Sequence, residues 1–144
     1  MPAESAYIDT SVLGAYYCPE LLSTAAEDAL RQIKTPVISV LSEVELYSLI
    51  SRKRRLRELN ERGAKDILEL FGNHVVDGFF RRISLSTEHF IKARQLVASM
   101  DSSLRTLDAL HLAAAITESI ILLTADRDFA KSAKRFKCGV TLVK

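Results

Sequence analysis

The chain has 144 residues, 48% of them hydrophobic and 26% charged, and its formal net charge is +2. This length fits a single domain, 1–144, and the composition excludes a disordered chain. No apolar run reaches the roughly 20 residues of a membrane span, and residues 1–5 lack the basic and apolar regions of a secretory signal, so we expect a cytoplasmic protein without a membrane anchor. Cys18 and Cys138 match no metal-ligand spacing, and we expect both to be reduced and packed.

Five short apolar runs predict β-strands. The first, 6–8, leads directly to Asp9, and the run 82–85 gives the weakest signal. The remaining strands are predicted at 37–40, 120–123 and 140–143. Runs of this kind are apolar on both faces, which is typical of strands buried in a parallel sheet.

Seven segments place apolar residues at helical spacing. We expect Thr10 or Ser11 to be the N-cap of the first helix, Thr35-Pro36 to end the second and Gly72-Asn73 to end the fourth. The predicted helices in chain order are 10–18, 20–34, 41–57, 61–71, 87–100, 104–118 and 126–135. Strands that alternate with helices predict an α/β fold with helices on both faces of a parallel sheet, and they place functional loops at the carboxyl ends of the strands.

Two carboxylates occupy the same place after two different strands. Asp9 directly follows the first strand, and Asp126 follows the strand 120–123 after a short turn. Each has a structural alternative, because Asp9 could cap the next helix or form an Asx-turn and Asp126 could be the N-cap of the last helix. Asp128 fits the first turn of that helix, where the helix dipole favours a carboxylate. Thr124 could hydrogen-bond a neighbouring carboxylate or a water.

Two further acids, Glu45 and Asp108, lie on predicted helices. Glu45 could close a capping box with Ser42, and the nearby Glu43 competes with it for any catalytic role. Asp108 lies on an almost entirely apolar helix, where a buried Asp must be paired, hydrogen-bonded or bound to a metal. A hydrogen bond between Asp108 and His111 is the structural alternative. Otherwise Asp108 belongs to the site, and His111 orients a neighbour, packs, or binds a metal.

The four acids can converge at the carboxyl ends of the strands. Carboxylates gathered in one cleft repel one another and raise one another's pKa, unless a divalent cation neutralises them. Oxygen ligands of this kind suit Mg²⁺ or Mn²⁺. A pair of such ions can activate a water and stabilise the leaving oxygen in phosphodiester cleavage. These acids are Asp9, Glu45, Asp108 and Asp126.

The same acids lie in motifs that occur in a fixed order. These motifs are Tyr-Ile-Asp9-Thr10-Ser11, Ser39 with Glu45 six residues on, Leu-Asp108-Ala-Leu-His111-Leu-Ala, and Leu-Thr124-Ala-Asp126. Together they resemble the PIN-domain nucleases, and most closely the VapC-type toxins of toxin–antitoxin pairs. Any one motif is unspecific, but four in this order at these spacings are specific, and the likeness covers nearly the whole chain.

This resemblance implies a three-layer α/β/α sandwich with a parallel sheet in the order 3-2-1-4-5. It also implies a Mg²⁺- or Mn²⁺-dependent endoribonuclease in which the four acids bind the metal and catalyse. Family members commonly form homodimers and are silenced by a cognate antitoxin whose C-terminal segment covers the acidic cleft. The expected supporting residues are Thr10, Ser11, Thr124 and Asp128, and whether Asp128 or Glu43 joins the site stays open.

A dense basic cluster lies at 52–57, and a looser one follows at 127–137. A charge run is either a solvated helix face or a surface for binding a polyanion. The candidates for contact with RNA phosphates are Arg52, Lys53, Arg54, Arg55 and Arg105. Tyr16, Tyr17 or Phe129 could stack on bases if exposed, and each could instead be a packed aromatic.

The predicted function is therefore a metal-dependent endoribonuclease, the toxin of a type II toxin–antitoxin pair. One rival is a phosphatase of the haloacid-dehalogenase type, but that chemistry needs a second acid two residues after the first, where this chain has Ser11. The other rival is a non-catalytic PIN-like module that binds RNA or a partner without cutting, and it predicts binding without metal-dependent products.

Overall fold

The computed structural model describes residues 3–100 and 103–144. The expectation about a secretory signal concerned residues 1–5, and residues 1 and 2 of this segment lie outside the described range. The elements in chain order are β1 (Ala3–Ile8), α1 (Thr10–Tyr17), α2 (Ser23–Arg31), β2 (Ile33–Ser39), α3 (Val40–Arg55), α4 (Glu61–Val76), β3 (Arg81–Ile83), α5 (Thr87–Ala98), α6 (Thr106–Thr117), β4 (Ile121–Thr124), α7 (Arg127–Arg135) and β5 (Val140–Leu142).

The five strands form one parallel sheet in the order β3-β2-β1-β4-β5, which confirms the predicted order. β1 is the central strand, with β2 on one side and β4 on the other. The backbone pairing of β1 with β4 continues one residue past the strand, where the Asp9 N–H donates to the Leu123 carbonyl at 2.9 Å. The carboxyl ends of β1 and β4 therefore lie side by side.

Alternate side chains of the central strand enter two different cores. Ala6 and Ile8 pack with residues of α1 to α4, and Tyr7 packs with residues of α5 to α7. The two helical layers enclose the sheet, so the predicted α/β/α sandwich is confirmed. Cys18 lies in the first core and Cys138 in the second, and both are buried free thiols, as expected. None of the helices described is both long and apolar enough to cross a membrane.

The boundary between α2 and β2 differs from the prediction. Helix α2 ends at Arg31, and β2 starts at Ile33 and includes Pro36 in its interior. Proline lacks the N–H that a strand between two neighbours must donate, so it is tolerated where one side of the strand is unpaired. β3 pairs with the stretch Val37–Ser39, just beyond Pro36. The prediction that Thr35-Pro36 ends a helix is therefore wrong.

Helix α4 continues past the predicted stop at Gly72-Asn73 and ends at Val76. A glycine inside a helix costs roughly 1 kcal/mol relative to alanine, which tertiary packing can outweigh. The preceding residue, Phe71, is 1% exposed and anchors this part of the helix in the core. The chain instead turns at Gly78, whose φ of 77° lies in the left-handed region that favours glycine.

Candidate active site

Asp9 stands at the carboxyl end of β1, buried to 7% exposure. Its Oδ2 accepts hydrogen bonds from Ser11 Oγ at 2.6 Å and from Thr124 Oγ1 at 2.8 Å. Asp9 also occupies the N-cap position of α1, yet its side chain accepts no hydrogen bond from the backbone N–H groups of the first turn, residues 10–13. The capping alternative for Asp9 is therefore wrong, and the hydroxyl contact predicted for Thr124 is confirmed.

Thr10 and Ser11 lie inside the first turn of α1, so the prediction that one of them is the N-cap is wrong. Their hydroxyls bond to the acids instead. Thr10 Oγ1 donates to Glu45 Oε1 at 2.7 Å, while Ser11 Oγ donates to Asp9 and accepts the Ala125 N–H at 3.0 Å. These two residues tie α1 to the neighbouring carboxylates.

Glu45 comes from the second turn of α3. Its Oε1 accepts from Thr10 and makes a close contact with His111 Nε2. The capping box of this helix joins Ser39 and Ser42, with the Ser39 N–H donating to Ser42 Oγ at 3.1 Å, so the predicted box between Ser42 and Glu45 is wrong. Burial raises the pKa of Glu45, but the His111 contact and the Thr10 hydrogen bond outweigh burial and hold it below its usual range.

Asp108 lies in the first turn of α6 and is half-buried. Burial raises the pKa of this carboxyl, and the charges of Asp9 and Asp126 raise it further. The predicted hydrogen bond to His111 is wrong, because His111 bonds to Tyr7 Oη through Nδ1 at 2.6 Å and to Glu45 through Nε2. A backbone hydrogen bond from Arg105 and the charge of His111 lower the pKa of Asp108, but they do not outweigh burial and the two acids.

Asp126 is the N-cap of α7, as its structural alternative predicted. Its Oδ1 accepts from the backbone N–H groups of Asp128 at 2.9 Å and Phe129 at 3.1 Å. Its own N–H donates to Thr124 Oγ1 at 3.0 Å, so one threonine connects Asp9 with Asp126. Asp128 lies exposed in the first turn of α7, as expected.

Two recesses border these acids. One, of about 120 Å³, is lined by Asp108, Asp126, Asp128 and Arg105 among others. The other, of about 340 Å³, is lined by Thr10, Ser11, Glu45, Ser48, Leu49, Arg52 and Leu107. Two of the five predicted RNA-contacting cations, Arg52 and Arg105, therefore lie beside the acids.

The other three predicted cations lie elsewhere on α3. Lys53 pairs with Glu58 at 3.9 Å, and Arg55 donates to Ser51 Oγ at 3.0 Å. The charge of Arg54 acts on Glu61, whose pKa it helps to lower after the larger effect of Lys65.

Several other candidates are not free to act at this cleft. Glu43 pairs with Arg82 of the edge strand β3. Tyr17 and Phe129 are 6% and 2% exposed, so both are packed aromatics, the alternative to base stacking, and Tyr16 is half-buried against the first core. Conversely, Tyr7 was not predicted as the partner of His111. Its signal was a tyrosine in a buried strand, where the hydroxyl needs a hydrogen-bond partner.

The donor set fits a hard divalent cation in its chemistry. The hydrogen bonds within the described chain engage Asp9 Oδ2, Glu45 Oε1 and Asp126 Oδ1, so the second oxygen of each carboxylate is available to a ligand. The pKa of Asp108 is raised first by burial and then by the charges of Asp9 and Asp126, and a cation would relieve this repulsion. However, no three His, Cys, Asp or Glu side chains in residues 3–100 and 103–144 are already arranged as a metal site.

Solved structures share this fold. FitAcB from Neisseria gonorrhoeae has a TM-score of 0.69 at 17% identity, covering 94% of this chain and 95% of that one. VapBC2 from Rickettsia felis, bound to a promoter DNA fragment, has a TM-score of 0.70 at 16% identity, covering 97% and 99%. VapC20 from Mycobacterium tuberculosis has a TM-score of 0.68 at 17% identity, covering 88% and 94%. At these identities the likeness concerns the fold.

Sequence comparison identifies the family. A search of curated proteins finds no match. The sequence model of the PIN domain, in contrast, matches residues 6–135, which span every candidate acid from Asp9 to Asp126. The resemblance seen in the motifs is confirmed, and the chain belongs to the PIN domain family.

Proposed function

We propose that this protein is a Mg²⁺- or Mn²⁺-dependent endoribonuclease whose metal-binding and catalytic acids are Asp9, Glu45, Asp108 and Asp126. The observation that carries the proposal is the position of these acids: Thr124 Oγ1 bonds both Asp9 Oδ2 and the Asp126 N–H, and Asp108 lines the same recess as Asp126. The charges of Asp9 and Asp126 both act on Asp108, whose pKa they raise in addition to burial. Like charges brought together in this way are typical of a cation site.

The chain's own residues hold the carboxylates in place. Ser11 and Thr124 fix Asp9 Oδ2, Thr10 and His111 fix Glu45 Oε1, and the start of α7 fixes Asp126 Oδ1. Each acid therefore presents its other oxygen to a ligand without having to give up its supporting contacts. A divalent cation bound there supplies the activation of a water and the stabilisation of the leaving oxygen.

The RNA backbone would be held by cations around the acids. Arg52 and Arg105 line the two recesses beside the carboxylates, where a guanidinium can bind a phosphate with two parallel hydrogen bonds. Lys53, Arg54 and Arg55 would extend this positive surface along α3 and add a salt-dependent attraction. Asp128, which lines the Arg105 recess, would add negative charge at its rim.

We further propose that the protein is the toxin of a type II toxin–antitoxin pair, acts in the cytoplasm as a homodimer and is silenced by a cognate antitoxin. The similar structures support this role, because they include a toxin–antitoxin complex from Klebsiella pneumoniae and a VapC20 described as a toxin that cleaves the Sarcin-Ricin loop.

A second candidate function is a non-catalytic PIN-like module that binds RNA or a partner protein. It is favoured by the finding that the His, Cys, Asp and Glu side chains of the described residues do not yet form a metal site. This candidate predicts that RNA is bound but that no cleavage products appear when Mg²⁺ or Mn²⁺ is added.

The test is cleavage of end-labelled RNA by the purified protein. We expect products with Mg²⁺ or Mn²⁺, none with a chelator, and a loss of at least about 100-fold in rate for Asp9→Asn and Asp108→Asn. Asp28→Asn, an exposed acid on α2, is the matched control and should keep full activity. Cleavage with chelator present, or full activity in both site variants, would sink the proposal.

A further inference from the structure

Tyr7 and His111 form a buried hydrogen-bonded chain behind Glu45. Tyr7 is 0% and His111 1% exposed, and Tyr7 Oη lies 2.6 Å from His111 Nδ1. On its other side Tyr7 Oη lies 2.7 Å from Ser39 Oγ and 3.4 Å from Ser42 Oγ, the two residues of the α3 capping box. His111 Nε2 completes the chain by contacting Glu45 Oε1.

The hydrogen bonds that connect Tyr7, His111 and Glu45 are all donated in the same direction, toward Glu45. A carboxylate only accepts hydrogen bonds, so the proton between His111 and Glu45 belongs on Nε2. Nδ1 of a neutral imidazole is then an acceptor, and the Tyr7 hydroxyl can donate to it. Ser39 Oγ accepts the backbone N–H of Ser42 in the capping box, so its own hydroxyl hydrogen can be donated to Tyr7 Oη. When His111 carries its proton on Nε2, Tyr7 Oη and both ring nitrogens of His111 have hydrogen-bond partners.

From this arrangement we infer that His111, locked by Tyr7 in its Nε2–H tautomer, is a positioning residue that holds Glu45 ready to bind a cation. The inference rests on the proposed function for the role of Glu45, and it adds two residues that touch neither cation nor substrate. Thr10 and His111 together fix Oε1 from two sides, which leaves the conformation of Glu45 little freedom and presents Oε2. Partners behind a ligand generally set its orientation and the affinity of the site.

The chain contains a natural control for this pair. Tyr17 Oη lies 2.6 Å from His74 Nδ1, the same distance as between Tyr7 and His111. Tyr17 is also buried, but it packs against Phe71 on the side of the sheet covered by α4. Tyr17→Phe thus removes the same kind of hydrogen bond from a buried tyrosine away from the acids.

The first measurement is the tautomer of His111 in the metal-free protein. Long-range ¹H–¹⁵N correlation spectra of the full chain, with the histidine ¹⁵N-labelled, report which ring nitrogen carries the proton, and His111→Gln assigns the signal among the three histidines. We expect a proton on Nε2 and an unprotonated Nδ1 in the wild type, and a mixture of tautomers in Tyr7→Phe. A proton on Nδ1 of the wild type overturns the inference.

The second measurement is Mn²⁺ binding by titration calorimetry. We expect the dissociation constant to rise about 10-fold or more in His111→Leu, and to rise less in His111→Gln, whose amide can still donate to Glu45. Tyr7→Phe, which removes one oxygen, should also weaken binding, whereas Tyr17→Phe should change it less than about 2-fold. Equal affinity in the wild type, His111→Leu and Tyr7→Phe overturns the inference.

The two proposals fail in different ways. If the wild type neither binds Mn²⁺ nor cleaves RNA, the proposed function fails together with the cation-binding part of this inference. The tautomer measurement then still decides whether Tyr7 fixes the tautomer of His111. If the wild type binds Mn²⁺ and cleaves RNA while the His111 and Tyr7 variants do so equally well, the proposed function stands and the positioning role fails.

Discussion

Asp108 is a residue that the fold tolerates at a cost. Its pKa is raised by burial and by Asp9 and Asp126, so the ionised form is less favourable in the folded protein than in the unfolded chain. A raised carboxyl pKa lowers the free energy of unfolding at neutral pH; this penalty shrinks as the pH falls through the folded pKa and is gone below the pKa of the unfolded chain. Such costs are common where function requires an unfavourable arrangement.

We therefore predict that Asp108→Asn stabilises the metal-free protein while it abolishes cleavage. Because Asp108 is half-buried, solvent screens part of the repulsion, and we expect a gain below about 1 kcal/mol. Thermal unfolding in chelator measures this gain, with Asp28→Asn as the control that should not change. Saturating Mn²⁺ should then stabilise the wild type more than the variant. A lower melting temperature for Asp108→Asn in chelator would contradict this account.

At the same scale, the acids stand out in the sequence and Ser11 and Thr124 are among the supports expected for them, whereas the particular partners of Glu45 were not predicted. An acid beside a buried strand or on an apolar helix, such as Asp9 or Asp108, stands out because burying an unpaired carboxylate is unfavourable. The partners of Glu45, in contrast, depend on side chains from α1 and α6 that come together when the layers pack. The sequence spacing favoured a local capping box for Glu45, and the tertiary contacts with Thr10 and His111 prevail.

Helix α7 shows how one residue can serve an element and the site together. Asp126 caps the helix through Oδ1 and is proposed to bind the cation through its other oxygen. Asparagine caps a helix about as well as aspartate, whereas alanine lacks the cap and costs about 1 kcal/mol.

The two roles can be separated by two substitutions. We expect Asp126→Asn to keep the stability of the metal-free protein and to lose cleavage. Asp126→Ala should lose cleavage and also about 1 kcal/mol of unfolding free energy, measured by urea denaturation. If Asp126→Asn retained wild-type cleavage, the cap would be the whole role of this residue.

Helix α4 differs from its prediction because packing overrides a local stop signal. Gly72 lies inside the helix, and an added Cβ there would meet no atom within 4 Å among the described residues, whereas Gly78 has a φ of +77°. We predict that Gly72→Ala stabilises the protein by roughly 0.5–1 kcal/mol. Gly78→Ala should destabilise it by about 1 kcal/mol or more, since the left-handed conformation strains any residue with a Cβ. Chemical denaturation of both variants tests this pair, and a destabilised Gly72→Ala would refute the helical assignment at that position.

The sequence pattern did not predict the start of β2, again because packing outweighs a local signal. Proline breaks a helix, and it is also unfavourable inside a strand that pairs on both sides. The sequence does not tell which strands lie beside Pro36. Its place in β2 becomes acceptable because β3 is three residues long and pairs with the part of β2 beyond the proline. The length of a neighbouring strand is a property of the sheet, and no local pattern reports it.

At the scale of the whole molecule, periodicity predicted the alternation of strands and helices, and the family resemblance supplied the strand order. That order brings the residues of the proposed site close together. β1 and β4 are far apart in the chain but adjacent in the sheet, so Asp9 and Asp126 follow neighbouring strand ends. Among the cations of α3, Arg52 lines the recess beside Glu45, whereas the charge of Arg54 acts on Glu61 of α4.

The central claim is that these acids direct a water, with a divalent cation, onto the phosphorus of RNA. The most direct test is the chemistry of the product ends after cleavage by the wild type in Mn²⁺, beside Asp9→Asn. Attack by water predicts phosphate and hydroxyl ends, no 2′,3′-cyclic phosphate, and continued cleavage of a substrate with a 2′-deoxy sugar at the cut site. Cyclic phosphate ends, loss of cleavage with the 2′-deoxy substrate, or the same products from Asp9→Asn would contradict the claim.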